Sequence, residues 1–461
     1  MRTLFGPHRG ARFQSLFDAA SGTLACYPQD DALTGLPNRF AFEERFARAI
    51  ARAHWRGWFP AVVLINIGHF RRINATLGHA MGDNLLRQVA RRLSGSLEPN
   101  DFVARMSGSE FALALCRLED PRDTAWKTGL VLDALNKPFE VDDQQLYLPA
   151  CMGLSVYPED GLDAETLLRH AGAAAFRAAP GCRQQVVRFT RAIGEAARTR
   201  LSLETDMRRA LEGHEFRLLY QPQVDPEGRL AGLEALLEWN HPRRGRIAPA
   251  EFIPIAEESG MIVPIGAWVL GEACRQNVEW QDAGHAPVRI SVNVSAVEFA
   301  RPDFVHMVTG TLSDTGLNPK WLALEVTEST LMRDVEESVR RMTKLRGLGV
   351  RIAIDDFGTG YSSLAYLRRF PLDALKIDRS FLLDVTSGTV TPLVETVIRL
   401  AHGLGLRVVA EGVENERQLG ALRRAGCDLL QGHLFGQSLP PSTVANSVLC
   451  QDRLAAMAPV N

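Results

Sequence analysis

Short apolar runs in the second half of the chain repeatedly finish on an acid, an amide or a lysine, and this recurrence constrains the fold more than any other feature of the sequence. β-rich runs occur at Ala231–Trp239, Val288–Val294, Leu322–Val326, Arg351–Ile354, Ala374–Ile377, Arg407–Ala410 and Asp428–Leu434. Amphipathic stretches of helical period alternate with them, among them Glu336–Leu348, Pro392–Leu404 and Glu416–Ala425. Strand–helix alternation of this kind predicts a (β/α) TIM-like barrel, with a doubly wound open sheet as the other arrangement the pattern allows. In a barrel of parallel strands every strand ends on one face. That face would collect Glu234, Asn293, Glu325, Glu328, Asp355, Asp356, Lys376, Asp378, Glu411 and Glu414. A lone acid at a strand end is ordinarily a helix cap or a solvated residue; six strands delivering polar groups together point to a site. Crowded carboxylates repel unless cations neutralise them. Oxygen donors without a histidine or cysteine cluster suit Mg²⁺ or Mn²⁺, and two such ions can hold a phosphodiester and activate a water.

The first half has a different texture. An apolar run at 61–67 and further strands at Phe102–Met106 and Glu110–Leu115 flank a hairpin turn, Ser107-Gly108-Ser109. A helix is expected over Gly82–Leu93, and two more strands at Tyr147–Val156 and Gln185–Phe189, giving an α+β domain. The expected organisation is an N-terminal arm at 1–30, a first domain at 31–190, a helical connector at 191–202, a second domain at 203–445 and a tail at 446–461. A chain of 461 residues, 46% hydrophobic, can build two such cores. The net charge of −2 argues against a nucleic-acid footprint. No apolar run approaches the ~18 residues of a spanning helix, and the start, MRTLFGPHRGARF, carries charge where a signal peptide needs an apolar core. A cytoplasmic protein with no membrane span is expected. Seven scattered cysteines with no CxxC pair read as buried free thiols.

The segments LLYQPQV, EALLEW, PAEFIPIAEESGMI, SVNVS, LEVTES, IDDFGTGYSSL, LKIDRSF, AEGVE and GCDLLQGHLFG, between about Leu203 and Pro441, resemble the EAL family of cyclic-di-GMP phosphodiesterases. The resemblance implies a reaction that opens cyclic di-GMP to linear pGpG with two Mg²⁺ or Mn²⁺ ions. It implies that Glu234, Asn293, Glu325 and Asp355 ligate one metal, and that Asp355 and Asp356 border the other. Lys376 and Glu411 would hold or activate the water, and Glu328 would brace the loop that begins DDFGTG. Gln221, Asp378, Glu414 and Gln431 would line the ligand or support the groups that do. A homodimer formed around the DDFGTG loop is also implied. One position departs. Where the family signature has an arginine that contacts a ligand phosphate, this chain has Glu238. An anion there is expected to weaken binding unless it turns away or Arg243 or Arg244 reaches in, and Glu238→Arg is expected to restore affinity.

The first half resembles the GGDEF family of diguanylate cyclases through DALTGLPNRF, FRRINATLGHAMGD, RMSGSEF and GLSVYPEDG. Its chemistry-bearing positions have changed. The signature loop reads Ser107-Gly108-Ser109-Glu110-Phe111, with Ser109 at the key carboxylate; Asn66 and Gly68 stand at the metal-binding strand, and Ala179 at a phosphate-binding lysine. Asn74 and Asp83 remain at the guanine-reading positions, so GTP as a regulatory ligand is one expectation, and a surface or capping role for both residues is the other. The product-inhibition pattern reads Glu98-Pro99-Asn100-Asp101, without its arginine. No cyclase activity is expected. Two functions compete for the whole chain: a phosphodiesterase regulated by an inactive GGDEF domain, or a receptor or scaffold acting through protein contacts.

Overall fold

The computed structural model describes residues 29–141, 144–178, 186–358, 364–382 and 389–451. They form two compact units that divide between Thr199 and Arg200. No helix among the described residues is long and apolar enough to cross a membrane.

The first unit is built on a five-stranded sheet of order β2-β3-β1-β6-β7. Its strands are β1 (Ala61–Ile67), β2 (Phe102–Ser107), β3 (Glu110–Leu115), β6 (Ala150–Val156) and β7 (Val186–Arg188), and a separate two-stranded hairpin comprises β4 (Phe139–Val141) and β5 (Gln144–Leu146). Helices α1 (Arg39–Arg56) and α5 (Ala164–Ala178) cover one face through Phe42, Phe46, Leu167 and Ala171. Helices α3 (His79–Gly95) and α4 (Asp123–Asn136) cover the other through Leu85, Val89, Val131 and Leu135, and the short α2 (Phe70–Leu77) precedes α3. The strand expected from Tyr147 begins at Ala150, because its partner β1 ends at Ile67, opposite Ala150. The small β4–β5 hairpin carries no signal strong enough to have been expected. Cys116, Cys274, Cys427 and Cys450 are free thiols, but Cys151 is disulfide-bonded, against the expectation for all seven.

The second unit is a closed barrel of eight strands: β8 (Phe216–Val224), β9 (Leu230–His241), β11 (Arg289–Val294), β12 (Leu322–Thr327), β13 (Arg351–Phe357), β14 (Ala374–Ile377), β15 (Arg407–Ala410) and β16 (Leu429–Gln431). Closure excludes the open-sheet alternative. From β9 through β16 successive barrel strands pair in parallel. The barrel is not parallel throughout, however: β8 runs antiparallel to both β9 and β16. The cause is local. A tight turn, in which the Asp225 N–H donates to the Arg229 carbonyl at 2.9 Å and Gly228 takes φ +83°, leads straight from β8 into β9. So short a connection can join only antiparallel strands. β9 also outruns the barrel. It pairs with β11 only over Gly232–Ala235, continues beside β8 to Trp239, and past His241 folds back as β10 (Gly245–Ile247).

The stretch expected as a connector is one helix, α6 (Arg191–Glu212), whose Leu203, Met207 and Ala210 enter the barrel core. The expected tail at 446 also starts inside that core, where Val448 is buried and Leu449 packs.

Candidate active site

Side chains alternate across a strand, so the pairing registers fix which residues face into the barrel. Asn293 pairs with Glu325, and Thr327, two residues on, with Asp355. Lys376 lies opposite Val409, and Gln221 opposite Glu234. Glu234, Glu325 and Lys376 are buried, and Glu411 and Asp355 are half-buried above them. At the centre stands the Lys376 ammonium, 1% exposed. It contacts the Glu325 and Glu411 carboxylates directly, with Asp355 Oδ1 at 3.3 Å and Glu234 Oε2 at 3.6 Å. Burial alone would pull the Lys376 pKa down. The charges of Glu234, Glu325, Glu411 and Asp355 outweigh it and hold the pKa well above the usual lysine value. Burial, reinforced by the neighbouring acids, pushes Glu325 and Glu411 up despite the lysine beside them.

A second set of contacts fixes Glu234. Its Oε1 accepts from Asn293 Nδ2 at 2.6 Å, and its Oε2 accepts from Gln431 Nε2 at 2.5 Å. Gln431 also donates to Gln221 Oε1 at 2.9 Å and accepts from Gln223 Nε2 at 3.0 Å. Gln223 is a supporting residue the sequence analysis did not single out. The period-two alternation within LLYQPQV, which puts both glutamines on one face, was the signal for it.

Four carboxylates around one lysine carry an excess of three negative charges when all four are ionised, which is why burial and mutual repulsion push Glu325 and Glu411 up. Asp356 adds to that excess on a backbone at φ +53°, its pKa raised by burial and then by Asp355 and Asp378. All-oxygen donors carrying such an excess fit hard divalent cations. Among the described residues the acids do not already stand as a three-ligand cage; they close on the ammonium instead.

The other expected residues are more dispersed. Glu328 is buried at the start of the helix Glu328–Leu331. The loop segment 359–363 that it was expected to brace lies outside the described residues. Asp378 is held by the Ser380 N–H at 3.0 Å. Glu414 is exposed, and its N–H donates to Gln418 Oε1 at 2.8 Å. Glu238 does not present a bare anion. It is 2% exposed, its Oε1 accepts from Arg217 Nε at 2.7 Å, and Arg246 Nε lies 2.7 Å from its Oε2. Neither Arg243 nor Arg244 is the partner.

In the first unit Asn66 lies on β1 opposite Glu110, and the Ile67 N–H donates to the Ser109 carbonyl at 3.2 Å, so the hairpin tip meets the end of β1. Arg105 ties that hairpin down, donating to the Gly108 carbonyl at 2.8 Å and to Asp31 at 3.0 Å. Ser107 donates to Glu110 at 3.3 Å, and Phe111 is buried. A Cβ at Gly68 would meet the Pro149 ring at 2.9 Å and its carbonyl oxygen at 3.1 Å, so Pro149 covers the position. Asn74 is turned against Gly82, filling the notch left by the missing side chain, and its Oδ1 is buried without a hydrogen bond. Asp83 is half-buried on α3. At the former inhibition pattern Lys127 binds Glu98 at 2.6 Å and Asp101 at 2.9 Å. Ala179 lies outside the described residues.

The EAL domain family matches residues 204–438, and the diguanylate cyclase GGDEF domain family matches residues 29–185. The bifunctional diguanylate cyclase/cyclic di-GMP phosphodiesterase MucR of Pseudomonas aeruginosa is 40% identical over 420 residues, which span 91% of this chain and 61% of the relative. The cyclic di-GMP phosphodiesterase NbdA of the same organism is 40% identical over 425 residues, 92% of this chain and 54% of the relative. PdeR of Escherichia coli, a cyclic di-GMP phosphodiesterase, is 34% identical over 445 residues, 94% of this chain and 67% of the relative. Against the first two, this chain spans little more than half the relative's length. A structure of PaMucR phosphodiesterase in complex with c-di-GMP shares 47% identity with a TM-score of 0.51, covering 53% of this chain and 99% of its own. A cGMP-bound structure of the EAL enzyme Bd1971 shares 29% identity with a TM-score of 0.52, covering 66% of this chain and 84% of its own. With one family model matched across half its length and a second ahead of it, the chain belongs to the EAL domain family, in the tandem arrangement of a GGDEF domain followed by an EAL barrel.

Proposed function

We propose that the barrel hydrolyses cyclic di-GMP to pGpG and that the GGDEF domain is catalytically silent. The observation that carries this reading is the convergence of Glu234, Glu325, Asp355 and Glu411 on the buried Lys376 ammonium. It is supported by relatives that are themselves named cyclic di-GMP phosphodiesterases. Glu234, Asn293, Glu325 and Asp355 would hold one Mg²⁺ or Mn²⁺, with Asp355 and Asp356 bordering a second. Bound there, the ions supply Lewis acidity and neutralise the phosphodiester. The protein groups do the rest. Lys376 and Glu411 hold the attacking water, and Glu411, its pKa raised by burial, accepts the water's proton near neutral pH. The water oxygen bonds to phosphorus as the P–O3′ bond breaks, leaving a 5′-phosphate and a free 3′-hydroxyl. Asn293 and Gln431 fix Glu234 from either side. In the first domain no carboxylate stands at Asn66, Gly68 or Ser109, so two cations facing a triphosphate have little to hold them.

The test is incubation of the full-length protein with cyclic di-GMP and Mg²⁺ or Mn²⁺, following pGpG by chromatography, with Glu234→Ala as control. Product from the wild type and none from the control is the expected result. Tight binding without product would make the chain a receptor, and no binding at all would make it a protein scaffold. Incubation with GTP is expected to yield no cyclic di-GMP.

A further inference from the structure

We propose that Arg217 and Arg246, clamped by Glu238, bind the phosphodiester of cyclic di-GMP that is not cleaved; this rests on the phosphodiesterase reading above. On the β8–β9 ribbon the pair Gln221–Glu234 faces the carboxylate centre, and two pairs further along on the same face stands Arg217–Glu238. At ~3.3 Å per residue this places Glu238 about 13 Å along the strand from Glu234, on the part of β9 that projects past the barrel. Arg246 comes from β10, whose hairpin folds back over the same end.

The chemistry of the cluster is asymmetric. Glu238 is buried, whereas the Arg217 and Arg246 side chains are 55% and 69% exposed. Glu238 Oε1 accepts from Arg217 Nε, whereas Oε2 is ion-paired with Arg246 Nε at 2.7 Å without a hydrogen bond. Among the described residues, Nη1 of Arg217 and both Nη groups of Arg246 have no protein acceptor. Two guanidinium groups and one carboxylate leave a net charge of +1 on side chains that are 55% and 69% exposed. Glu238 is therefore the base of a cationic assembly and not a repulsive anion. One arginine alone on Glu238 would be neutral, so the second supplies the binding charge.

The ligand's own charge distribution asks for such a group. Cyclic di-GMP carries two phosphodiesters, and the catalytic centre serves one of them. Forked guanidinium donors suit the planar, bidentate demands of the other. The centre itself is acidic, with four carboxylates to one lysine, so a cation at the rim also draws the dianion in at the correct end.

The experiment compares the full-length wild type with Arg217→Met/Arg246→Met, the corresponding double lysine variant, and Glu238→Arg. Two substrates are used: cyclic di-GMP, and bis(p-nitrophenyl) phosphate, which has no second phosphodiester. In the double methionine variant the KM for cyclic di-GMP is expected to rise about 10- to 100-fold, as loss of a charge-assisted contact implies, with kcat changed less than about threefold. Turnover of bis(p-nitrophenyl) phosphate is expected to fall at most about twofold. The lysine variant recovers part of the KM, and Glu238→Arg, which sets three cations together, raises it. An unchanged KM, or equal loss on both substrates, overturns the proposal while leaving the phosphodiesterase reading intact. A wild type that gives no pGpG with either metal overturns both.

Discussion

Lys376 is the residue on which the barrel's proposed chemistry and its stability meet. Removing its charge leaves Glu325, Glu411, Glu234 and Asp355 facing one another in a buried space. Lys376→Met is therefore expected to lower pGpG formation by about 10²- to 10³-fold and to cost about 3–5 kcal/mol of stability measured by urea unfolding. Because the orphaned acids can be protonated, the loss should be smaller at pH 5 than at pH 8. Glu298 offers a cleaner pH signature away from the catalytic centre. It caps the helix Ala296–Phe299 through Ser295, and the room for its carboxyl comes from Gly266, where a Cβ would lie 1.6 Å from Oε1. Burial pushes its pKa from 4.5 up to about 7, against the hydrogen bonds from Ser295. The folded state thus keeps a proton that the unfolded chain releases, so this group's contribution to stability is fullest below pH 4.5 and falls as pH rises towards 7. Glu298→Gln is expected to be more stable than wild type at pH 8 by on the order of 2 kcal/mol and close to it at pH 4.5. Equal differences at both pH values would contradict this. At this scale the sequence was most legible where a side chain's place at a strand end is enough to locate it, as for Glu234 and Lys376, which meet inside the barrel. It was least legible at Glu238, because Arg217 and Arg246 become its neighbours only through the register of three strands.

Among the elements, boundaries set by pairing were the ones that local pattern missed. β3, β14, β15 and the helix Glu416–Ala425 match the sequence-based spans, each a compact apolar or amphipathic run between clear breaks. β8 escaped as a strand because its inward positions, Gln221 and Gln223, are polar, and nothing in a single strand's pattern records the direction of its neighbour. The turn after β16 shows how tightly an element holds the site. Gly432 follows Gln431 directly, and a Cβ there would meet the Val413 backbone at 2.2 Å and 2.3 Å, where nothing flexible can yield. Gly432→Ala is expected to displace Gln431 from Glu234. The readouts are a fall of about 2–4 kcal/mol in unfolding free energy and a fall in kcat larger than any rise in KM.

For the whole molecule, the two-unit division and the separate cores predict two partly independent folding units. A fragment comprising residues 200–461 is expected to unfold cooperatively and to form pGpG, because every catalytic group proposed here lies within it. The sequence made both domains legible through their contrasting rhythms, but not the entry of α6 and Val448 into the barrel core, since an amphipathic face does not say what it packs against. The seam between first and last strands has a consequence for synthesis. β16 meets β8 through only two residue pairs, Leu430–Val224 and Gln431–Gln223, and the glutamine relay to Glu234 crosses that junction. On the ribosome Gln223 emerges long before Gln431, so the chain carries its acids exposed and unassembled until the final strand arrives. Closing the cylinder and fixing Glu234 are then one event, and a chain terminated before β16 makes neither of the pairs that join that strand to β8.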